Sequence, residues 1–153
     1  MAGNGAMVPP VSSGTSGPLG AVHLPRLWAK LTLDAVGRLP EGYDACGTGF
    51  DQMTCDDLGL DRKTVMEYVQ LQKPTYVEFE EWVVANGKTD PETIRKHNEA
   101  IRSYKHGDET AGSIRTAVGL KRSDVKDAVT LNTLEDLHDF HAAVTSAPVT
   151  ATR

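Results

Sequence analysis

The sequence predicts an all-α fold, an irregular array of six or seven short helices in a single domain. Large apolar residues recur at helical spacings of three and four through most of residues 24–144. Residues that begin and end helices stand at the borders of these runs, with Asp61, Thr75 and Asp90 before them and Gly37, Gly87, Gly107 and Gly119 after. No stretch of useful length alternates apolar with polar residues as a half-buried strand does.

The first helix is expected from about Leu24 to Val36. Pro25 suits its first turn, where a missing N–H loses nothing. Leu24, Leu27, Trp28, Leu31 and Ala35 share a face, Arg26, Lys30 and Asp34 point elsewhere, and Gly37 supplies a left-handed stop. Residues 40–59 carry four glycines and break the regularity, giving a loop over 40–49 and a short helix over about 50–58. Asp61 caps the next helix, with Leu60 and Val65 as a hydrophobic staple and Pro74 as its end. Thr75 and Glu78 form a capping box for a helix whose stripe is Tyr76, Phe79 and Val83, with Trp82 beside it and Asn86-Gly87 closing it.

Asp90-Pro91 opens a helix with Ile94, His97, Ile101 and Tyr104 on one face, stopped by Gly107. Asp108 caps a shorter helix that carries Ile114, Ala117 and Val118 and ends at Gly119. A further turn or two is read from Ser123 through Val129. The last helix starts near Asn132 and carries Leu134, Leu137, Phe140 and Val144. Residues 1–20, rich in Gly, Ser and Pro, are expected to be a flexible, unpacked leader, residues 21–146 the helical domain, and residues 147–153 a disordered tail.

The formal charge of −5 opposes general nucleic-acid binding, which needs a cationic surface. The locally basic run from Arg95 to Lys105 reads as a solvated helix face. No stretch approaches the roughly 20 apolar residues that span a bilayer, and the N-terminus lacks the pattern of a secretory signal. Two cysteines are too few for a disulfide scaffold. A cytoplasmic protein with neither membrane nor nucleic-acid partner is expected.

The opening LPRL helix, the segment FDQMTCDDLGLDRKTVMEYV and the segment EFEEWVVANGKTDPETIRKHNEAI resemble a family of small bacterial helical proteins of the DUF5069 type, known as a domain of unknown function. The resemblance covers about Leu24 to Ile101 and extends more loosely to Val144. Its most specific part is the order of Asp51, Leu58-Gly59, Trp82, Asn86-Gly87-Lys88, Pro91 and Asn98. It implies a stand-alone helical domain and no named activity. The 40–55 loop, which holds both cysteines, departs from the typical member.

Chemistry is sought in three places. His138 and His141 lie three apart on the last helix, about 60° from each other, so both can look one way. They suit a pair of metal ligands or a general base with a helper, and otherwise His141 is a half-buried packing residue. Cys46 and Cys55 have eight residues between them, too many for a zinc knuckle, so no metal and no cofactor are expected. The two read as independent reduced thiols, either of which can be replaced without loss of fold. The segment Glu41–Asp57 carries five acids with no Lys or Arg from 39 to 61. It reads as a solvated acidic edge, or as the wall of a site.

If a site exists, it is expected between the 43–55 loop and the last helix, since irregular polar segments on rigid scaffolds often display binding groups. Asp51, His141, His138 and Cys55 are the candidate catalytic residues, and Tyr43 and Gln52 the candidate ligand contacts. Three functions follow in order: a cytoplasmic module binding a small molecule or protein partner, a small cytoplasmic enzyme using that pocket, and a metal or redox sensor.

Overall fold

The structure, a computed structural model, describes residues 5–146. Seven helices form among these residues: α1 (Leu24–Ala35), α2 (Phe50–Asp57), α3 (Arg62–Gln72), α4 (Tyr76–Asn86), α5 (Pro91–Ser103), α6 (Asp108–Val118) and α7 (Ala128–Ser146). The extended pairing among them is one isolated antiparallel bridge, Lys105 with Asp127. The fold is all-α, as the capped helical periodicity predicts. The expected disordered tail, 147–153, lies outside the described residues. The chain divides into two compact units, Met1–Tyr104 and Lys105–Arg153.

In the first unit α1 packs against α3 and α4, and α2 against α5. Leu24, Leu27, Leu58, Val65, Val69, Phe79 and Val83 are fully buried there. Each such side chain contributes about 1.5–3 kcal/mol through the apolar surface it removes from water. α1 is covered nearly all round, because Ala29 and Leu33 are buried as well as Leu24, Leu27 and Leu31. Arg26 and Lys30 are also buried, although they lie off the apolar face read from the sequence. The apolar residues off the main stripe, Ala29 and Leu33, are what marks a helix buried on all sides.

Local chemistry sets most helix ends. Asp61 and Asp90 accept from the N–H of Thr64 and Thr93, and Thr75 and Glu78 complete their capping box. Gly119 ends α6 at φ 77°. Three borders differ from expectation. Gly107, not Asp108, is the N-cap of α6. α7 begins at Ala128, because Asp127 accepts from Thr130 N–H and caps the helix before Asn132 is reached. Residues 119–127 form no helix, so the turn expected from Ser123 is absent.

Of the expected leader, the part from residue 9 onward is packed. Pro9, Ser13, Ala21 and Val22 are buried, and residues 9–22 form a strap over the helices of the first unit. Its composition suggests flexibility, but its backbone groups have specific distant partners. Leu19 N–H donates to Glu80 Oε1 at 3.0 Å and Val22 N–H to Asn98 Oδ1 at 2.9 Å. Asn98 Nδ2 donates to Gly20 O at 2.7 Å, and Arg26 to Val11 O at 3.0 Å. Satisfying buried backbone groups in this way allows an irregular segment to be covered.

In the second unit α6 packs against α7, with Ala111, Ala128 and Leu131 buried. Arg115 donates to Val125 O at 2.8 Å and Lys126 pairs with Asp108 at 3.2 Å, tying residues 120–127 to α6. Leu137, Phe140 and Val144, the expected apolar stripe of the last helix, are exposed.

Candidate functional site

Three residues from three parts of the first unit meet in one buried line. His23 precedes α1 in the left-handed backbone region, at φ 69°, a conformation that costs a non-glycine residue about 1–2 kcal/mol. The Ser13 hydroxyl donates to its Nδ1 at 3.0 Å, and its Nε2 donates to Asp51 Oδ1 at 2.6 Å. The other Asp51 oxygen accepts from Gly47 N–H at 2.7 Å and from the Lys30 ammonium. Ser13, His23 and Asp51 are 1%, 2% and 3% exposed.

Burial lowers the pKa of His23, against the hydrogen bond and charge of Asp51, so the ring is neutral near pH 7. Burial also opposes the charge on Asp51, yet the His23 hydrogen bond and the Lys30 ammonium outweigh it and hold the carboxyl at about 2. Hydroxyl, imidazole and carboxylate stand in the order that activates a nucleophile in acyl-transfer enzymes. In this closed arrangement the hydroxyl is covered and the carboxylate already has an ammonium partner. What the line does in this state is fasten the strap to α1 and α2.

Beside that fastening lies an open concavity of about 260 Å³. The strap supplies Pro10, Val11 and Gly17 to its wall, and α1 and α4 supply Pro25, Trp28 and Tyr76. Trp28 and Tyr76 meet edge to face, ring centres 5.7 Å apart. Their polar ends are engaged, since Trp28 Nε1 donates to Pro74 O at 3.0 Å and the Tyr76 hydroxyl to Glu80 Oε2 at 2.7 Å. Burial and then the Glu80 carboxylate raise the Tyr76 pKa, so it stays a phenol. The site therefore offers hydrocarbon and ring surface. Gly17 is required for the strap to come this close: a Cβ there would stand 2.5 Å from Tyr76 Cε2.

A second cluster lies around α2. Cys46 and Cys55 are both buried, at 5% and 0% exposure, and free. The Cys55 thiol hydrogen-bonds to Cys46, and Arg62 donates to Cys46 Sγ at 3.2 Å and also to Cys46 O. The Cys55 hydrogen bond and Arg62 together outweigh burial and lower the Cys46 pKa to about 6, while the pKa of Cys55 is raised. The thiols are thus a coupled pair, contrary to the independence expected of them. α2 brings Cys55 back over the loop that carries Cys46, and eight intervening residues do not forbid that. Among the described residues no group of three or more His, Cys, Asp or Glu could hold a metal ion.

The structure brings Asp51 and Cys55 together with a histidine neighbour, His23, in the first unit. Gln52 donates to Asp56 at 2.8 Å on the exposed side of α2, and Tyr43 is half-buried in the preceding loop. His138 and His141 belong to the second unit, where both are exposed on α7 rather than half-buried. Sequence reasoning missed Ser13, His23, Lys30 and Arg62. Ser13 and His23 fell inside or beside a segment dismissed on composition. Lys30 shares a helix with the off-stripe Ala29 and Leu33, the signal that could have found it.

No helix among the described residues is long and apolar enough to cross a membrane. No curated protein matches the chain. A family described as a domain of unknown function, DUF5069, matches residues 11–142.

Proposed function

The chain belongs to the DUF5069 family, and from that premise we propose that it is a cytoplasmic binding module for a small, largely apolar molecule or for an apolar side chain of a protein partner. The observation that carries this reading is the concavity beneath the strap, walled by Pro25, Trp28 and Tyr76. A dry cavity of about 150 Å³ accommodates benzene, so about 260 Å³ has room for a substituted ring. The indole and phenol hydrogens are already bound, so the site selects by shape and ring contact. Affinity is bounded by about 1.5 kcal/mol per heavy atom for the best small ligands.

The test is a two-dimensional NMR titration with small aromatic and branched aliphatic molecules, indole, phenol and isobutanol among them. Saturable shifts are expected at the Trp28 indole N–H, Tyr76 and residues 10–17, and Trp28→Ala should abolish them. Shifts at Tyr43, Gln52, His138 and His141 instead would return the site to the residues first expected from sequence. Absence of saturable shifts at the strap for the whole panel would overturn the pocket reading.

A second reading rests on the serial hydrogen bonds of Ser13, His23 and Asp51: an acyl-transfer enzyme with Ser13 as nucleophile and His23 as base. It requires the strap to lift, because Ser13 is 1% exposed. A fluorophosphonate probe that labels Ser13, and fails to label the His23→Gln variant, supports it. A folded protein that stays unlabelled rules it against.

A further inference from the structure

We propose that Cys46 and Cys55 form a peroxide-reactive dithiol site, at which Cys46 attacks the oxidant and Cys55 closes a reversible disulfide. The site is separate from the pocket beneath the strap and does not depend on that reading.

The case starts from position. Cys46 lies in the loop before α2, with exposed residues on both sides at Asp44 and Thr48. Arg62, whose side chain is partly exposed, donates to the Cys46 sulfur at 3.2 Å. Cys55 lies beneath, fully buried and hydrogen-bonded to the same sulfur. One thiol thus stands between exposed chain neighbours and beside a cation, and the other is held in reserve against it.

Charge divides the roles. The groups facing Cys46 are Cys55, Arg62 and Asp51, and Asp56 acts with Asp51 on Cys55. Asp51 disfavours the Cys46 thiolate, but Asp51 is itself bound to Lys30, His23 and Gly47 N–H. The Cys55 thiol and the Arg62 guanidinium favour it. A low-pKa thiolate with a resolving thiol alongside is the arrangement that makes a cysteine oxidant-sensitive.

The chemistry balances in two steps. The Cys46 thiolate attacks one oxygen of hydrogen peroxide, the O–O bond breaks, and the departing hydroxide takes a proton to become water. Cys46 is now a sulfenic acid, its sulfur oxidised by two electrons. The Cys55 sulfur then attacks Cys46 sulfur, an S–S bond forms, and the hydroxyl leaves with the Cys55 proton as a second water. Two equivalents of a small-molecule thiol, oxidised to its own disulfide, restore both protein thiols.

The experiment treats the full chain with hydrogen peroxide from pH 5 to pH 9 and follows thiol loss and intact mass. The wild type should form an intramolecular disulfide, with a rate rising to half-maximum near pH 6. At pH 7 it should react about tenfold faster than a thiol of ordinary pKa near 8.5, which is only a few per cent thiolate there. Cys55→Ser should stop at a sulfenic acid trapped by dimedone, and Cys46→Ser should not react. Arg62→Gln, at a partly exposed side chain, should keep the fold while moving the pH profile upward. Two results overturn the proposal independently of any variant's folding. One is a wild-type chain that keeps both thiols at pH 7 under peroxide; the other is oxidation that yields only intermolecular disulfides.

Discussion

Lys30 and Asp51 form an ion pair inside the first unit, their side chains 10% and 4% exposed. Removing one partner leaves the other charge buried with too few contacts, which costs about 3–5 kcal/mol. Lys30→Met should therefore lower the free energy of urea unfolding by that amount. Replacing both residues, Lys30→Met with Asp51→Leu, should cost less than the two single changes added together. An additive double mutant would show that the two charges do not support each other.

Ser13→Ala removes the hydroxyl that donates to His23 Nδ1 and leaves a buried acceptor without that partner. A loss of about 1–3 kcal/mol is expected from such an unsatisfied group. Limited proteolysis should cut first within residues 9–22, because the strap loses its fastening to α1. Unchanged cleavage kinetics would mean the strap is held by its other bonds alone.

Acid should weaken the fold in two windows. Burial lowers the His23 pKa below its ordinary 6.5, so the neutral ring stabilises the folded state fully above about pH 6.5. That contribution is lost as pH falls from there through the lowered folded value. Asp51 is held at about 2 against an ordinary 3.8, so its contribution is full above 3.8 and lost as pH falls from 3.8 toward 2. Thermal melts from pH 8 to pH 2 should show both declines, and His23→Gln should flatten the upper one.

Gly87 and Gly107 make a matched pair. A Cβ on Gly87 would stand 2.6 Å from Leu58 O, while nothing lies within 4 Å of one on Gly107. Gly87 is extended, with φ −113°, so space and not backbone freedom fixes the residue there. Gly87→Ala should cost about 1–3 kcal/mol through forced movement. Gly107→Ala should stay within about 0.5 kcal/mol. Differential scanning calorimetry of the two variants separates them directly.

The helices were legible because their signals are local. Thr75 and Glu78 reach each other within one turn, and Asp61 and Asp90 cap within three residues, so spacing alone reveals them. α7 was misplaced at its start because Asp127 and Asn132 are both capping residues, and only the fold decides between them. The buried line was illegible for a different reason. Ser13, His23 and Asp51 are separated by 10 and 28 residues along the chain. No periodicity links a serine in a Gly-Ser-Pro segment to an aspartate in an acidic loop and short helix. The coupling of Cys46 to Cys55 was hidden in the same way, since it depends on how a glycine-rich loop folds back over α2. The helical wheel did bring out His97, which is buried on α5 with Nε2 donating to Val22 O at 2.9 Å and Nδ1 facing Asp57 at 2.7 Å.

The strap has a consequence for the order in which the chain can assemble. Its anchors are Glu80, 61 residues downstream of Leu19, and Asn98, 76 residues downstream of Val22. During synthesis residues 9–22 emerge many seconds before those side chains exist outside the ribosome, at about 5–20 residues per second. α1 must wait too, since His23 and Lys30 find their carboxylate only when α2 arrives. Contacts this distant along the chain are closed late, because their loop entropy is lost before they can repay it. The strap is therefore made before its anchors and docks after them, and until α4 and α5 are in place Val22 and Leu24 remain open to whatever else would cover them.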